Sequence, residues 1–159
     1  MSKRSLFVVV LVVAGASLAV FLSSSEPSER APDSERLQSP TEFEAAVLEW
    51  FAAHSNDVAL AAQLAHVRVK ERQHTGVGCY SRFAVPADAP VSTRPYASHG
   101  PLEGPNFKSP TLKYGGGTLL WFVAGHAETL EIYTYDDVFP ADHADLGAFE
   151  LWSTDEDAK

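Results

Sequence analysis

The sequence predicts an α+β fold: two N-terminal helices packed on an antiparallel sheet of about five strands, preceded by a membrane-anchor helix. Three observations carry that expectation. An uncharged apolar run occupies the N-terminal region, apolar residues recur at helical spacing just after residue 40, and hydrophobicity alternates with period two from residue 66 onward. Leaving aside the leader and a polar stalk, about 120 of the 159 residues remain, near the commonest size for one domain. An apolar fraction of 45% with three Trp, five Tyr and nine Phe supplies the bulk for a core.

The leader, residues 1–25, begins with Lys3 and Arg4 and continues as an uncharged run over 5–25 with its apolar centre at 6–22. As a helix that centre spans about 25 Å, and its serine flanks extend it to about 30 Å, enough to cross a bilayer. One-sided positive charge predicts a single-pass orientation, with a cytoplasmic N-terminus and an extracytoplasmic C-terminal domain. The rival expectation is a cleaved signal peptide and a secreted or periplasmic product, with small residues at Ala14-Gly15-Ala16 or Ser17-Leu18-Ala19 for the cut. Apolar residues Val20, Phe21 and Leu22 continue past both points, which favours the uncleaved anchor. Residues 26–38 are polar, contain Pro27 and Pro32, and read as a flexible stalk.

The domain is expected over 39–153. Ser39-Pro40-Thr41-Glu42 reads as a capping box with proline in the first turn, after which Phe43, Ala46, Val47, Trp50 and Phe51 form one helical face. Ser55-Asn56-Asp57 interrupts the pattern, and 58–65 form a second helix. Val67 and Val69 then alternate with Arg68, Lys70 and Arg72. After His74-Thr75-Gly76 the alternation resumes in Val77, Cys79, Ser81, Phe83 and Val85, predicting an antiparallel pair. A second pair over 118–123 and 127–135 is joined by Ala124-Gly125-His126, and a short strand at about 149–152 closes the sheet. Residues 86–117 hold six prolines and five glycines and read as a long loop, whether for binding, as a surface wrap or as a disordered insert; 154–159 read as a disordered tail.

Charge and cysteine content exclude several functions. The formal charge is -9; because Lys3 and Arg4 lie in the leader, the rest carries 10 bases and 21 acids, a surface that repels nucleic acid. Residues 66–113 contain seven Lys or Arg against three acids, and 114–159 contain one against ten. Cys79 is the only cysteine, so no intramolecular disulfide and no cysteine-based zinc site can be assembled in one chain, and its place in an apolar alternation predicts a buried core residue. The sequence contains no Gly-x-Ser-x-Gly, His-Glu-x-x-His, Cys-x-x-Cys or Walker-type loop, and Gly115-Gly116-Gly117 reads as the entry to a strand. No cofactor is implied.

Three constellations are candidates for chemistry. Asp136, Asp137, Asp142, His143 and Asp145 are hard ligands in one short segment, although a solvated acidic loop explains them as well. His74, beside Thr75-Gly76-Val77-Gly78, is the best single catalytic candidate, with Glu131 as its partner. The third is the outward sheet face, where Arg68, Lys70, Arg72, Tyr80, Arg82, Glu131, Tyr133 and Tyr135 are expected to share or flank a polar aromatic platform. Cross-strand charge pairing is the plainer account of that face.

The stretch His74-Thr75-Gly76-Val77-Gly78-Cys79-Tyr80, with Gly116-Gly117, Leu130-Glu131-Ile132-Tyr133-Thr134-Tyr135 and Phe139-Pro140, resembles small bacterial α+β proteins of uncharacterised function over roughly 63–152. The resemblance implies a bacterial source and supplies no chemistry; Cys79 stands where it leads one to expect an aromatic residue. The expected function is a non-enzymatic, membrane-anchored extracytoplasmic module that binds a ligand or an envelope protein and meets the membrane only through residues 5–25. The alternatives are a small hydrolase or metal-dependent enzyme using His74 with Glu131 or the 136–145 acids, and an immunity-like interaction protein that needs no pocket.

Overall fold

Apolar spacing and paired strands set the architecture of a computed structural model that describes residues 36–153. The expected anchor helix, most of the stalk and the tail lie outside the described residues. Helix α1 (Glu42–His54) and helix α2 (Val58–Leu64) are followed by strands β1 (Arg68–His74) and β2 (Gly78–Ala84). Then come a short helix α3 (Tyr96–His99), β3 (Leu102–Glu103), β4 (Asn106–Lys108), β5 (Gly116–Val123), β6 (His126–Thr134), a 3₁₀ turn (His143–Leu146) and β7 (Glu150–Trp152). The fold is α+β, with one seven-stranded antiparallel sheet in the order β1-β2-β6-β5-β4-β7 and β3 paired to β5. No helix among the described residues is long and apolar enough to cross a membrane.

Helix α1 starts two residues later than its first capping signal suggests. Two boxes overlap, Ser39-x-x-Glu42 and Thr41-x-x-Glu44, and the second forms: Thr41 Oγ1 accepts from the Glu44 N–H at 3.2 Å, and Glu44 Oε2 accepts from the Thr41 N–H at 2.7 Å. The later box prevails because its glutamate is fully buried and gains further partners in the sheet, whereas Glu42 faces solvent. Phe43, Val47 and Phe51 on α1, with Leu60 and Leu64 on α2, pack against Val69, Leu130 and Ile132 of the sheet. Burying an aliphatic or aromatic side chain of this kind contributes about 1.5–3 kcal/mol. The chain is already paired before the helix: Gln38, expected at the end of a free stalk, exchanges two 2.8 Å backbone hydrogen bonds with Val69.

The β5–β6 connection is a two-residue hairpin turn in which Ala124 (φ 50°) and Gly125 (φ 80°) both have positive φ, the combination a type I′ turn demands. The pair makes the hairpin tight enough for every residue from Gly116 to Val123 to find a partner.

Residues 86–117 are a surface wrap containing α3, β3 and β4 rather than a structureless loop. Strands of two and three residues between prolines are too short to display a period, which is why composition alone predicts an irregular segment. Two buried polar side chains of α2 bind the wrap. Asp57, the α2 N-cap, accepts from Ala59 N–H (2.9 Å), Leu60 N–H (3.2 Å), Ser92 Oγ (2.6 Å) and Tyr96 Oη (2.6 Å). Gln63 donates from Nε2 to the carbonyls of Pro90 (2.6 Å) and Gly125 (2.9 Å), and its Oε1 accepts from Ala127 N–H (2.8 Å). Each buried polar group is thereby satisfied, the condition for placing it in a core at all.

Burial pushes the Asp57 carboxyl up, but the bonds from Ser92, Tyr96 and the two helix N–H groups outweigh it and hold the carboxyl below its ordinary 3.8. The resulting stability is present above that ordinary value and disappears as pH falls through the lower folded-state value. The Asp57→Ala chain should be about 1–3 kcal/mol less stable than wild type at pH 7. That gap, read from urea midpoints, should narrow as pH is lowered below about 4. A gap that does not change with pH would show that the carboxylate charge does not hold the wrap.

Candidate metal centre

The site arises from one extra residue in β1. Val69 pairs with Phe83, but the next pair is Glu71 with Arg82, so Lys70 is inserted as a β-bulge. A one-residue insertion exchanges the two faces of everything beyond it. Arg72 and His74 therefore share the helix-covered face with their partners Ser81 and Cys79, both buried, while Tyr80 and Arg82 point the other way. This corrects the expectation that Arg72 belongs to the outward face.

Arg72 turns inward to meet Glu44. Its Nε donates to Glu44 Oε1 at 2.9 Å and its Nη2 to Oε2 at 2.6 Å, a bidentate ion pair on a carboxylate with no solvent exposure. The other Arg72 donors reach Gln38 Oε1 (2.6 Å) and the Ser39 carbonyl (3.1 Å). Ser81 Oγ donates to Glu44 Oε1 at 2.5 Å. Burial raises the Glu44 carboxyl, yet the bonds from Arg72, Ser81 and the Thr41 N–H reverse that, so it lies below the usual carboxylate range and is ionised at neutral pH.

The third element is the 3₁₀ turn, capped by Asp142 Oδ1, which accepts from Ala144 N–H at 2.9 Å. It delivers His143 into the interior edge-on to Phe139, with ring centroids 5.3 Å apart. His143 Nδ1 lies 3.1 Å from Thr41 Oγ1 and 3.8 Å from Glu44 Oε1. A proton on Nδ1, donated to Thr41 with the Glu44 carboxylate behind it, leaves the lone pair on Nε2, the arrangement that metal-binding histidines use. Nε2 is buried and has no hydrogen-bond partner.

Beside it, His74 Nε2 lies 4.0 Å from Cys79 Sγ, and the His74 and His143 rings are 5.7 Å apart at 75°. One ligand atom each from His74, Cys79 and His143 falls within 4.8 Å of the others. Burial pushes the Cys79 thiol up and the His143 imidazole down, the latter despite Glu44 nearby. Both directions disfavour a charged thiolate–imidazolium pair between Cys79 and His143.

Other sequence candidates fall elsewhere. Glu131 pairs with Tyr80 on the outward face, whereas His74 pairs with Cys79 on the inward one, so His74 and Glu131 do not converge. Of the 136–145 group, His143 alone joins the ligand trio: Asp137 Oδ2 accepts from Tyr114 N–H at 2.8 Å, Asp142 caps its turn, and Asp136 and Asp145 are exposed. On the outward face Glu131 accepts from Tyr80 Oη (3.2 Å) and Trp121 Nε1 (2.8 Å), and Arg82 stands 3.8 Å from Glu71. Tyr133 and Tyr135 meet edge-to-face at 5.7 Å above Gly117, where a Cβ would lie 2.5 Å from the Tyr133 hydroxyl. Arg68 and Lys70 are exposed. The expectation that a lone cysteine cannot enter a zinc-type site is corrected here, because His74 and His143 gather at Cys79 from outside its strand; the signal available for the His74 partnership was the position of the two residues as facing ends of a tight hairpin.

Removing one member of a buried ion pair strands the other. Glu44→Ala should lower unfolding free energy by about 3–5 kcal/mol, measured by urea denaturation; a loss below about 1 kcal/mol would mean that the Arg72 pair is not what joins helix to sheet.

No family model, curated protein or solved structure matches this chain.

Proposed function

We propose that the domain is a binding module for a single late-transition-metal ion held by His74, Cys79 and His143. The observation that carries this reading is the buried, unpartnered Nε2 of His143 in a cluster whose ligand atoms already lie within 4.8 Å of one another. A nitrogen left unpaired in a protein interior costs about 1–3 kcal/mol, which a bound ion would recover. Metal–sulfur and metal–nitrogen bonds of about 2.3 and 2.0–2.1 Å place tetrahedral S and N ligands about 3.6 Å apart. The 4.0 Å between Cys79 Sγ and His74 Nε2 is near that separation. One thiolate and two imidazoles suit copper, zinc or cobalt rather than calcium or magnesium. A binding role is favoured over hydrolysis because His74 and Glu131 stand on opposite faces. The charged, apolar leader supports a site held outside the membrane at the end of a stalk, with residues 5–25 as the anchor.

Titrating the reduced full chain with Co²⁺ should produce a thiolate-to-metal charge-transfer band saturating at one ion per chain, and Cys79→Ser and His143→Ala should abolish it. Thr41→Val, which removes the hydroxyl behind His143 Nδ1, should weaken binding about 10–100-fold without changing the stoichiometry. A band that persists in Cys79→Ser would refute the assignment.

A second reading rests on the outward face, where Glu131 accepts hydrogen bonds from the exposed Tyr80 and Trp121. Exposed aromatic side chains with Arg82, Tyr133 and Tyr135 around them suit recognition of an envelope protein. Replacing Arg82 and Tyr133 together with alanine should then eliminate a crosslinked partner seen with the wild-type chain; undiminished crosslinking would remove this reading.

A further inference from the structure

We infer that the resident ion is monovalent copper, and that His74 is the ligand released when the ion is passed on; this rests on the metal-binding reading above. Three features of the cluster lead to it: its charge, its ligand count and its unequal exposure.

Charge comes first. Cys79 and His143 are 1% and 5% exposed, and the nearest fixed charges, Arg72 and Glu44, already neutralise one another at 2.6 Å. When the Cys79 thiol gives its proton to solvent and its sulfur bonds the ion, Cu⁺ leaves the cluster neutral. Zn²⁺ would leave one net positive charge on a cluster of which two ligands are buried and whose nearest carboxylate, Glu44, is already committed to Arg72, a placement that low-dielectric surroundings penalise.

The ligand count points the same way. Both Glu44 oxygens are committed to Arg72, with Ser81 and the Thr41 N–H adding further bonds, so this carboxylate is not a free fourth donor. Among the described residues the trio is the one group of such side chains gathered closely enough to hold an ion. Zinc takes four ligands, so with three side chains it would depend on a solvent molecule entering at the exposed His74 edge for the fourth. Monovalent copper, a soft d¹⁰ ion with high affinity for thiolate, is content with three or with two.

Exposure then separates the three ligands by role. Cys79 and His143 are fixed inside the core by the sheet and by Thr41, whereas His74 is exposed at the end of β1, immediately before the hairpin turn. Rotation of His74 toward solvent would leave Cu⁺ on Cys79 and His143, two-coordinate and open to an incoming thiolate or imidazole from an acceptor. No bond to the interior has to break before the acceptor binds.

The test uses the reduced full chain in detergent under anaerobic conditions. Cu⁺ is supplied as a complex with a chromophoric bidentate chelator, Zn²⁺ affinity is measured separately with a zinc chromophore, and X-ray absorption reports the coordination number of bound copper. The expected result is one Cu⁺ per chain, bound at least 100-fold more tightly than Zn²⁺, with one sulfur and no more than three ligands. His74→Ala should hold Cu⁺ through one ligand fewer by X-ray absorption and lose it to excess chelator at least 10-fold faster, while Cys79→Ser should not hold it; thermal unfolding of each variant confirms that it is folded. Tighter binding of Zn²⁺ through Cys79 would overturn the copper assignment and leave the metal-binding reading standing. Failure to bind either ion would overturn both. Complete loss of Cu⁺ in a folded His74→Ala chain, or an unchanged transfer rate, would overturn the release role.

Discussion

An ionised carboxylate with no solvent exposure, that of Glu44, constrains the arrangement of everything near it. It receives donors from the turn before α1 (the Thr41 N–H), from β1 (Arg72) and from β2 (Ser81), and it stands 3.8 Å from the imidazole of His143. A charge with no exposure is tolerated only where such partners replace water, so those elements must arrive in one geometry or the carboxylate is stranded. The capping box, ordinarily a local device for starting a helix, here also fixes the angle at which the helix meets the sheet. A buried network of this kind is demanding of geometry, since each bond is strong only while the others hold.

The bulge at Lys70 is what makes that network possible. Without it, Arg72 and His74 would lie on the same face as Tyr80 and Arg82, Glu44 would lack its counter-charge, and Cys79 would have no histidine across the hairpin. The same insertion divides the sheet chemically. Its inward face combines a hydrophobic core with the Glu44 network and the His74–Cys79–His143 cluster; its outward face carries Tyr80, Arg82, Trp121 and Glu131 in contact with solvent. Two chemically distinct surfaces are thus kept on opposite faces of one layer.

Asp57 and Gln63 do for the wrap what Glu44 does for the first helix. A segment rich in proline and glycine has little periodic side-chain burial to hold it, so its order comes from directed bonds: Ser92 and Tyr96 donate to Asp57, and the Pro90 carbonyl accepts from Gln63. Fixed in this way, the segment can contribute β3 and β4 to the sheet edge despite its composition.

Much of the fold was legible from residue order alone. Helical spacing from Phe43 to Phe51, the Asp57 cap, the two hairpins and the burial of Cys79 follow from local periodicity and turn chemistry, which act over a few residues and leave their mark in the sequence. His74 and His143 stood out individually by residue type, and Tyr80, Arg82 and Glu131 by their place in the outward alternation. What only the tertiary structure decided was which of them meet. The Lys70 bulge is invisible to a pattern of alternating residues because its position depends on pairing with β2, and it moved Arg72 and His74 to the other face. The choice between two overlapping capping boxes depended on Arg72, 28 residues beyond Glu44, and the setting of His143 on Thr41, 102 residues away. Periodicity records where a side chain points along its own element, while a site is made by contacts between elements distant in the chain.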